Sequence, residues 1–311
     1  MSVTFSGGIT FTGGGFSFSA APAGNKAIFG YGNTGIAPFN TAITNLVSNT
    51  GVVATDTTGV GTARNGLAAS GYGTDKAIFG YGYAGAALSM TNLVNNVGAV
   101  ATDTTGVGTA RDTPAAAGYG TDKAIFGYGQ TGGGSPLSMT NLVSNTGVVA
   151  TDTTGVGTAR NALAAAGYGT DKAIFGYGSG PTAITNLVSN TGVVANNTTG
   201  VGTARYNVAA AGYGSSGQAI FGYGTATGNP YASMTNLVSN TGVVATDTTG
   251  VGTGRYGLAA AIYGTDKAIF GYGNTGSPTA VTNLVSNTGI VASDTTGVGT
   301  ARFQLAAAAY G

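Results

Sequence analysis

The alternation of apolar and polar positions along the chain is short-ranged, and it predicts strands. Between Asn161 and Arg205, the small-residue run Leu163-Ala164-Ala165-Ala166-Gly167-Tyr168-Gly169 predicts a first strand, A. Thr170-Asp171 marks a turn, and Lys172 to Tyr177, with its β-branched and aromatic centre, predicts strand B. After a loop, Ala183-Ile184-Thr185-Asn186-Leu187-Val188 alternates apolar and polar residues, as a strand C with two unlike faces does. Ser189-Asn190-Thr191-Gly192 is a turn signal, Val193-Val194-Ala195 opens a strand D, and Gly200-Val201-Gly202-Thr203-Ala204-Arg205 leads onward.

This unit recurs. The stretch Lys267-Ala268-Ile269-Phe270-Gly271-Tyr272-Gly273 has six copies, with Phe29, Phe79, Phe126, Phe175, Phe221 and Phe270 at steps of 50, 47, 49, 46 and 49 residues; only the fifth copy changes its first residue, to Gln218. A period of that size without helical patterning matches four short strands, the content of one β-propeller blade. The expected fold is therefore all-β, a six-bladed propeller of four-stranded blades over residues 26–311. The last A strand, Leu305 to Gly311, has no B strand after it, and the first B strand, Lys26 to Tyr31, has no good A strand before it. The C-terminal strand should complete the first blade, which would leave no open sheet edge at the seam.

The unit resembles the kelch repeat in its Arg just before strand A, its apolar strand B ending in glycine, and its turn between C and D. The resemblance extends over most of the chain and implies a propeller. It departs from the kelch pattern in two places: Gly-Tyr-Gly stands where kelch repeats have a Gly-Gly doublet, and the chain has no Trp.

Composition narrows the function. The 58 glycines fall at the same turn positions in every copy, so they read as turn residues and not as a disordered tract. The net charge of +1 gives no electrostatic footprint for nucleic acid or for an acidic membrane, and no apolar run is long enough to cross a bilayer. Arg64, Arg111, Arg160, Arg205, Arg255 and Arg302 each precede an A strand, and the Lys all begin B strands. Asp56, Asp103, Asp152, Asp247 and Asp294 sit in strand D, Asn197 replaces Asp in the remaining copy, four Asp precede Lys, and Asp112 alone stands outside the pattern. The six Arg are expected to serve the fold, bonding loop carbonyls or a carboxylate between blades, with an anion-binding ring at the channel mouth as the functional alternative.

Residues 1–25 have no repeat partner. Ser2–Ser6, Ile9–Thr12 and Phe16–Ser19 alternate apolar and polar residues between glycine pairs and triplets, which reads either as an extra strand or as an arm that adds to another protein's sheet. This Gly, Thr and Phe alternation resembles the ends of some bacteriophage structural and tail-associated proteins. That resemblance implies virion or surface-assembly partners bound through residues 1–25, and a location on a virion or outside the cell.

No enzyme is expected. Gly30-Tyr31-Gly32-Asn33-Thr34-Gly35 matches G-x-G-x-x-G, but a strand and not a helix follows it, which removes the dinucleotide reading. The strand-D Asp is placed differently from that of a sialidase Asp-box, with its glycine one position late and no Trp after it. The chain lacks His, Cys and Glu, the usual bases, nucleophiles and metal ligands, so no cofactor or metal is expected either.

Variation between copies locates the binding surface. The B–C loops differ in length and content, as do the two residues after each Arg, from Asn65-Gly66 to Phe303-Gln304. In an up-and-down blade both regions emerge on one face. Twelve tyrosines end A and B strands, while Tyr83, Tyr206, Tyr231 and Tyr256 break the repeat and fall on that face. With Asn33 and Gln130 they are the candidate ligand-binding residues, on loops carried by a rigid scaffold. The expected function is a non-enzymatic attachment protein that recognises a carbohydrate or host receptor, the alternative being a structural subunit held by the N-terminal arm and the loop face.

Overall fold

The computed structural model describes residues 25–311, together with the backbone of 9–12 and 15–18. The described residues form strands, bridges and turns, with no helix. Ile9–Thr12 and Gly15–Phe18 pair as a two-stranded antiparallel sheet. The predicted strand Ser2–Ser6 lies outside the described residues, as does the stretch 19–24.

From Asn25 onward the chain builds six three-stranded antiparallel sheets. They are numbered here by their central strand B: Lys26–Gly30, Lys76–Gly80, Lys123–Gly127, Lys172–Gly176, Gln218–Gly222 and Lys267–Asn274. In the fourth unit, strand A (Ala164–Tyr168) pairs with B from Ala164↔Gly176 to Tyr168↔Lys172, and B pairs with C (Thr185–Val188) from Gly176↔Thr185 to Ala173↔Val188. All six share this register. The first unit takes its A strand from the far end of the chain, since Ala306–Tyr310 pairs with Lys26–Gly30 from Ala306↔Gly30 to Tyr310↔Lys26.

The expected strand D is reduced to two bridges per unit. In the first unit they are Val47↔Val53 and Thr44↔Thr57, so one side carries an extra residue, the geometry of a β-bulge. The side chain of Asn45 fills the gap: its Nδ2 donates to Ala54 O at 3.0 Å and to Asp56 Oδ1 at 2.9 Å. An amide side chain thus takes over part of the ladder, and regular pairing ends there. Sequence alternation counts residues but does not reveal the bulge.

Neighbouring units lock together through the Gly-Tyr-Gly that ends strand B. A Cβ on Gly30 would lie 2.8 Å from the Phe79 ring of the next unit, so only glycine admits that ring. Tyr31 follows with φ +63°, and its buried ring meets Phe79 edge-on at 5.1 Å. The left-handed backbone costs of order 1 kcal/mol or more, an edge-on aromatic pair returns about 0.5–1.5 kcal/mol, and burial of both rings adds the rest. Gly271 meets Phe29, and Tyr272 meets the same ring at 5.1 Å, so the joint between the sixth and first units has the geometry of the others.

The A strands of all six units line one cavity of about 340 Å³. Their alternate residues, such as Ala165 and Gly167, face it, and successive A strands lie side by side from unit to unit and from the last unit back to the first. A Cβ on Gly71 would stand 3.1 Å from Ala309 O, a close approach between neighbouring A strands.

Candidate functional site

Strand B runs from the A–B turn to the Gly-Tyr-Gly, so the B–C loop and the D–A connection emerge on the same side. There the second residue after each Arg is left-handed, with φ between 49° and 61° at Gly66, Thr113, Ala162, Asn207, Gly257 and Gln304. Each amide donates to the carbonyl of its counterpart in the adjoining unit. Thr113 N bonds Gly66 O at 2.6 Å, Asn207 N bonds Ala162 O at 2.7 Å, and Gly66 N bonds Gln304 O at 2.9 Å. This belt fixes the order of the residues just before it. Asn65, Asp112 and Asn161 follow one another as a polar arc, and Tyr206, Tyr256 and Phe303 as an aromatic arc.

Two of the four singled-out tyrosines, Tyr231 and Tyr256, meet on the aromatic arc, and Tyr206 precedes Tyr256 along it. Tyr231, from the B–C loop of the fifth unit, lies nearly parallel to Tyr256, with ring centres 6.1 Å apart and planes 15° from each other. Tyr256 meets Phe303 edge-on at 6.1 Å. Burial pushes the Tyr256 hydroxyl above its usual pKa, and the neighbouring Tyr231 and Tyr206 add to the rise. Tyr231 is the most open of these rings, 38% exposed. Beside Tyr206, a cavity of about 380 Å³ opens between the B–C loops of the fourth and fifth units, lined by Ser179, Pro181, Thr225 and Thr227.

Tyr83, Asn33 and Gln130 stand elsewhere on the same face. Tyr83 pairs with Asn65 through its backbone, and its carbonyl accepts from Asn40 Nδ2 at 3.2 Å. Asn65 Nδ2 donates to Asn40 Oδ1 at 2.6 Å. Asn33 bridges to both Asn40 and Phe303, where the two arcs meet. Gln130 accepts from Asn161 Nδ2 and donates to Asp112 Oδ2 at 3.4 Å. Burial pushes the Asp112 carboxyl up, against the lowering effect of Gln130. Asp112 Oδ1 and Thr113 Oγ1 are buried without a partner among the described residues. Sequence reasoning missed Phe303, Asn40, Asn65 and Asn161 as members of the site. The signal was present in the variable position after each Arg, but the ring order needed to sort that position into two arcs was not.

The six Arg are buried. Arg64 Nε donates to Tyr81 O at 2.8 Å, Nη1 to Thr62 O at 3.1 Å and Nη2 to Asn92 Oδ1 at 2.7 Å, while its guanidinium carbon sits 4.3 Å from the centre of the Tyr31 ring. Burial pushes the Tyr31 hydroxyl up to about 12, although the Arg64 charge draws it down. Arg302 makes the same contacts to Tyr31 O, Thr300 O and Asn45 Oδ1. Arg160 and Arg255 repeat this set, whereas Arg111 and Arg205 lack the Nε bond and Arg205 Nη1 donates to Met234 O; all six are buried away from an outside anion. The strand-D carboxylates brace the same connections: Asp103 Oδ2 accepts from the Thr62 hydroxyl at 2.6 Å and from its amide at 3.0 Å. Asn197 keeps the role by accepting from Thr158 N at 3.1 Å.

The opposite face carries the Lys. Lys76, Lys123, Lys172 and Lys267 each pair with the Asp before them at 2.6–3.1 Å. Asn25, where the chain enters the first unit, lines the common cavity on this side and accepts from Gly264 N at 2.7 Å. Val52, Val148, Val193, Val243 and Ile290 stand 65–69% exposed on the C–D turns of the same face. Among the described residues, no three His, Cys, Asp or Glu side chains come together as a metal site.

Fold and site together define an all-β repeat protein: one antiparallel unit copied six times, with the side chains that vary between copies gathered on one face. Neither a known protein family nor a curated protein matches the chain.

Proposed function

We propose that the molecule is a closed six-bladed, kelch-like propeller that binds carbohydrate through the B–C loop face without catalysing a reaction, as an attachment protein of a phage virion or of another extracellular assembly. The observation that carries this reading is the contact of Tyr231, Tyr256 and Phe303 on that face, with Tyr206 next on the same arc beside the cavity, each from a position where its copy departs from the repeat. Amphipathic rings beside amide and hydroxyl side chains suit sugars, which offer C–H faces for stacking and hydroxyls for hydrogen bonding. Support for ring closure comes from the last joint: Arg302, Tyr272 and Phe29 repeat the contacts of the internal joints. Support for a non-catalytic role comes from a chain without His, Cys or Glu.

Asn25 opens on the face away from the aromatic arc, so an arm in residues 1–25 would hold the particle on one side and leave the loops free on the other. A second reading, a structural subunit, is favoured by the exposed Val and Ile of the C–D turns. A glycan array probed with the purified protein and with Tyr231→Ala and Tyr256→Ala tests the first reading. Binding by the parent and loss of at least about tenfold in each variant is expected, equivalent to roughly 1.4 kcal/mol. Silence on the array, with concentration-dependent assembly by mass measurement, would favour the second.

A further inference from the structure

Among the described residues the loop face presents no exposed Lys or Arg, and this restricts its ligand further. All eleven Lys and Arg lie within residues 25–311. The six Arg are 0–1% exposed, and their Nη groups bond inside the joints, while Arg111 Nε and Arg205 Nε are buried without a partner among the described residues. The Lys all begin B strands, at the end remote from the B–C loops. The carboxylates near the loops are more exposed than the Arg beside them, as with Asp103 at 4.0 Å from the buried Arg64 and Asp152 at 3.7 Å from the buried Arg111. Asp112 sits within the polar arc, and Asp56, Asp103, Asp152, Asp247 and Asp294 brace the D–A connections that end on this face. The cavity beside Tyr206 is lined by hydroxyls, small residues and one aromatic ring, all uncharged. Its volume of about 380 Å³ falls within the range of ligand pockets, about 300–1,000 Å³.

Sialic acid, uronates and sulfate esters bring carboxylate or sulfate groups that lose water on binding. A site repays that cost with guanidinium or ammonium donors, or with a nest of amides. Here the exposed donors are amides and hydroxyls, and the guanidinium groups that offset the strand-D carboxylates are buried out of a ligand's reach. We propose that the face selects neutral oligosaccharides, seating one sugar in the cavity beside Tyr206 with the chain continuing over Tyr256 and Tyr231, and that it discriminates against sialylated, uronate-containing and sulfated chains. This rests on the carbohydrate reading above and adds a charge rule to it.

The test uses an array of matched pairs, in which each neutral oligosaccharide is printed with and without a terminal sialic acid or sulfate. The neutral member should bind at least about tenfold more tightly than its acidic partner, a difference of roughly 1.4 kcal/mol. Thr227→Lys places a cation on an exposed loop residue lining the cavity and should raise the acidic signal, with an unchanged melting temperature to show that the fold is intact. Acidic members bound as well as their neutral partners by the parent protein would overturn the charge rule and leave carbohydrate binding standing. No glycan bound by either protein would overturn both.

Discussion

At the scale of single residues, the joints depend on buried polar groups with few alternatives. Arg64→Met removes three donors at once and takes from Tyr81 O, Thr62 O and Asn92 Oδ1 the bonds that Arg64 gives them. An unpaired buried acceptor costs about 1–3 kcal/mol, so urea unfolding should show a loss of roughly 2–5 kcal/mol. Arg64→Lys should recover little of it, because a point charge cannot span an amide oxygen and two carbonyls. The strand-D carboxylates give the pH dependence. Burial raises Asp56, but the Thr300 hydroxyl, the Asn45 amide, the Thr300 amide and the Arg302 charge outweigh it and hold the carboxyl below its usual range. Asp103, Asp152, Asp247 and Asp294 are lowered in the same way. A depressed folded-state pKa stabilises above the unfolded value and is lost as pH falls through the folded one. Melting temperature should therefore hold near neutrality and decline below about pH 4. Asn197 is the internal control, since its joint has nothing to protonate. Changing the other five Asp to Asn should flatten the acid limb, and a limb left unaltered would assign it to other groups.

At the scale of the element, strands A, B and C were legible because their period and apolar content repeat six times. Their ends were overshot by one or two residues, as with Ala183–Val188 against Thr185–Val188, because Gly-Tyr-Gly and the loop residues continue the apolar run beyond the ladder. The bulged D segment was not legible, although one signal existed: Asn45, Asn92, Asn141, Asn186, Asn236 and Asn283 interrupt an apolar strand at the same place each time. Each is fully buried and bonds across the bulge. The glycines divide similarly into those a neighbour forbids and those it ignores. A Cβ on Gly127 would stand 2.8 Å from the Phe175 ring and 3.1 Å from Thr140, whereas on Gly133 it would meet only Thr131 Oγ1, at 3.9 Å. Gly127→Ala should cost about 1–3 kcal/mol by overpacking a joint. Gly133→Ala should stay within about 0.5 kcal/mol of the parent. Equal melting of the two proteins would show that the Phe–Gly contact does not hold the units together.

At the scale of the whole molecule, the six repeats were visible in the chain, but the ligand face was only half visible. Sequence grouped the variable residues on one side; the belt from Gly66 to Gln304 then set three aromatics together and three polar residues together. The same belt makes closure testable. Gly311 occupies the place of Gly169, and Asn25 and Lys26 those of Asp171 and Lys172, so one threonine between Gly311 and Asn25 would rebuild the A–B turn that the second, third, fourth and sixth units have. Gly311 N already bonds Asp75 O at 2.9 Å, as Gly120 N bonds Asp171 O at 2.7 Å, so the bridged ends need not move. A permutant with that single-residue bridge, without residues 1–24 and with new termini at Gly133 and Gly134, opens the molecule in a loop where neither glycine meets a crowded neighbour. Loop tips of this kind tolerate new termini. If the units form a closed ring, the permutant should be soluble and melt near the parent temperature. Removing Leu305–Gly311 from the parent should instead strip the first unit of its A strand and its joint to the second. About five paired residues, each worth around 1 kcal/mol of net hydrogen bonding, is a large part of a stability of about 5–15 kcal/mol. A permutant that aggregates while the truncated parent folds would place the closing contact elsewhere in the chain.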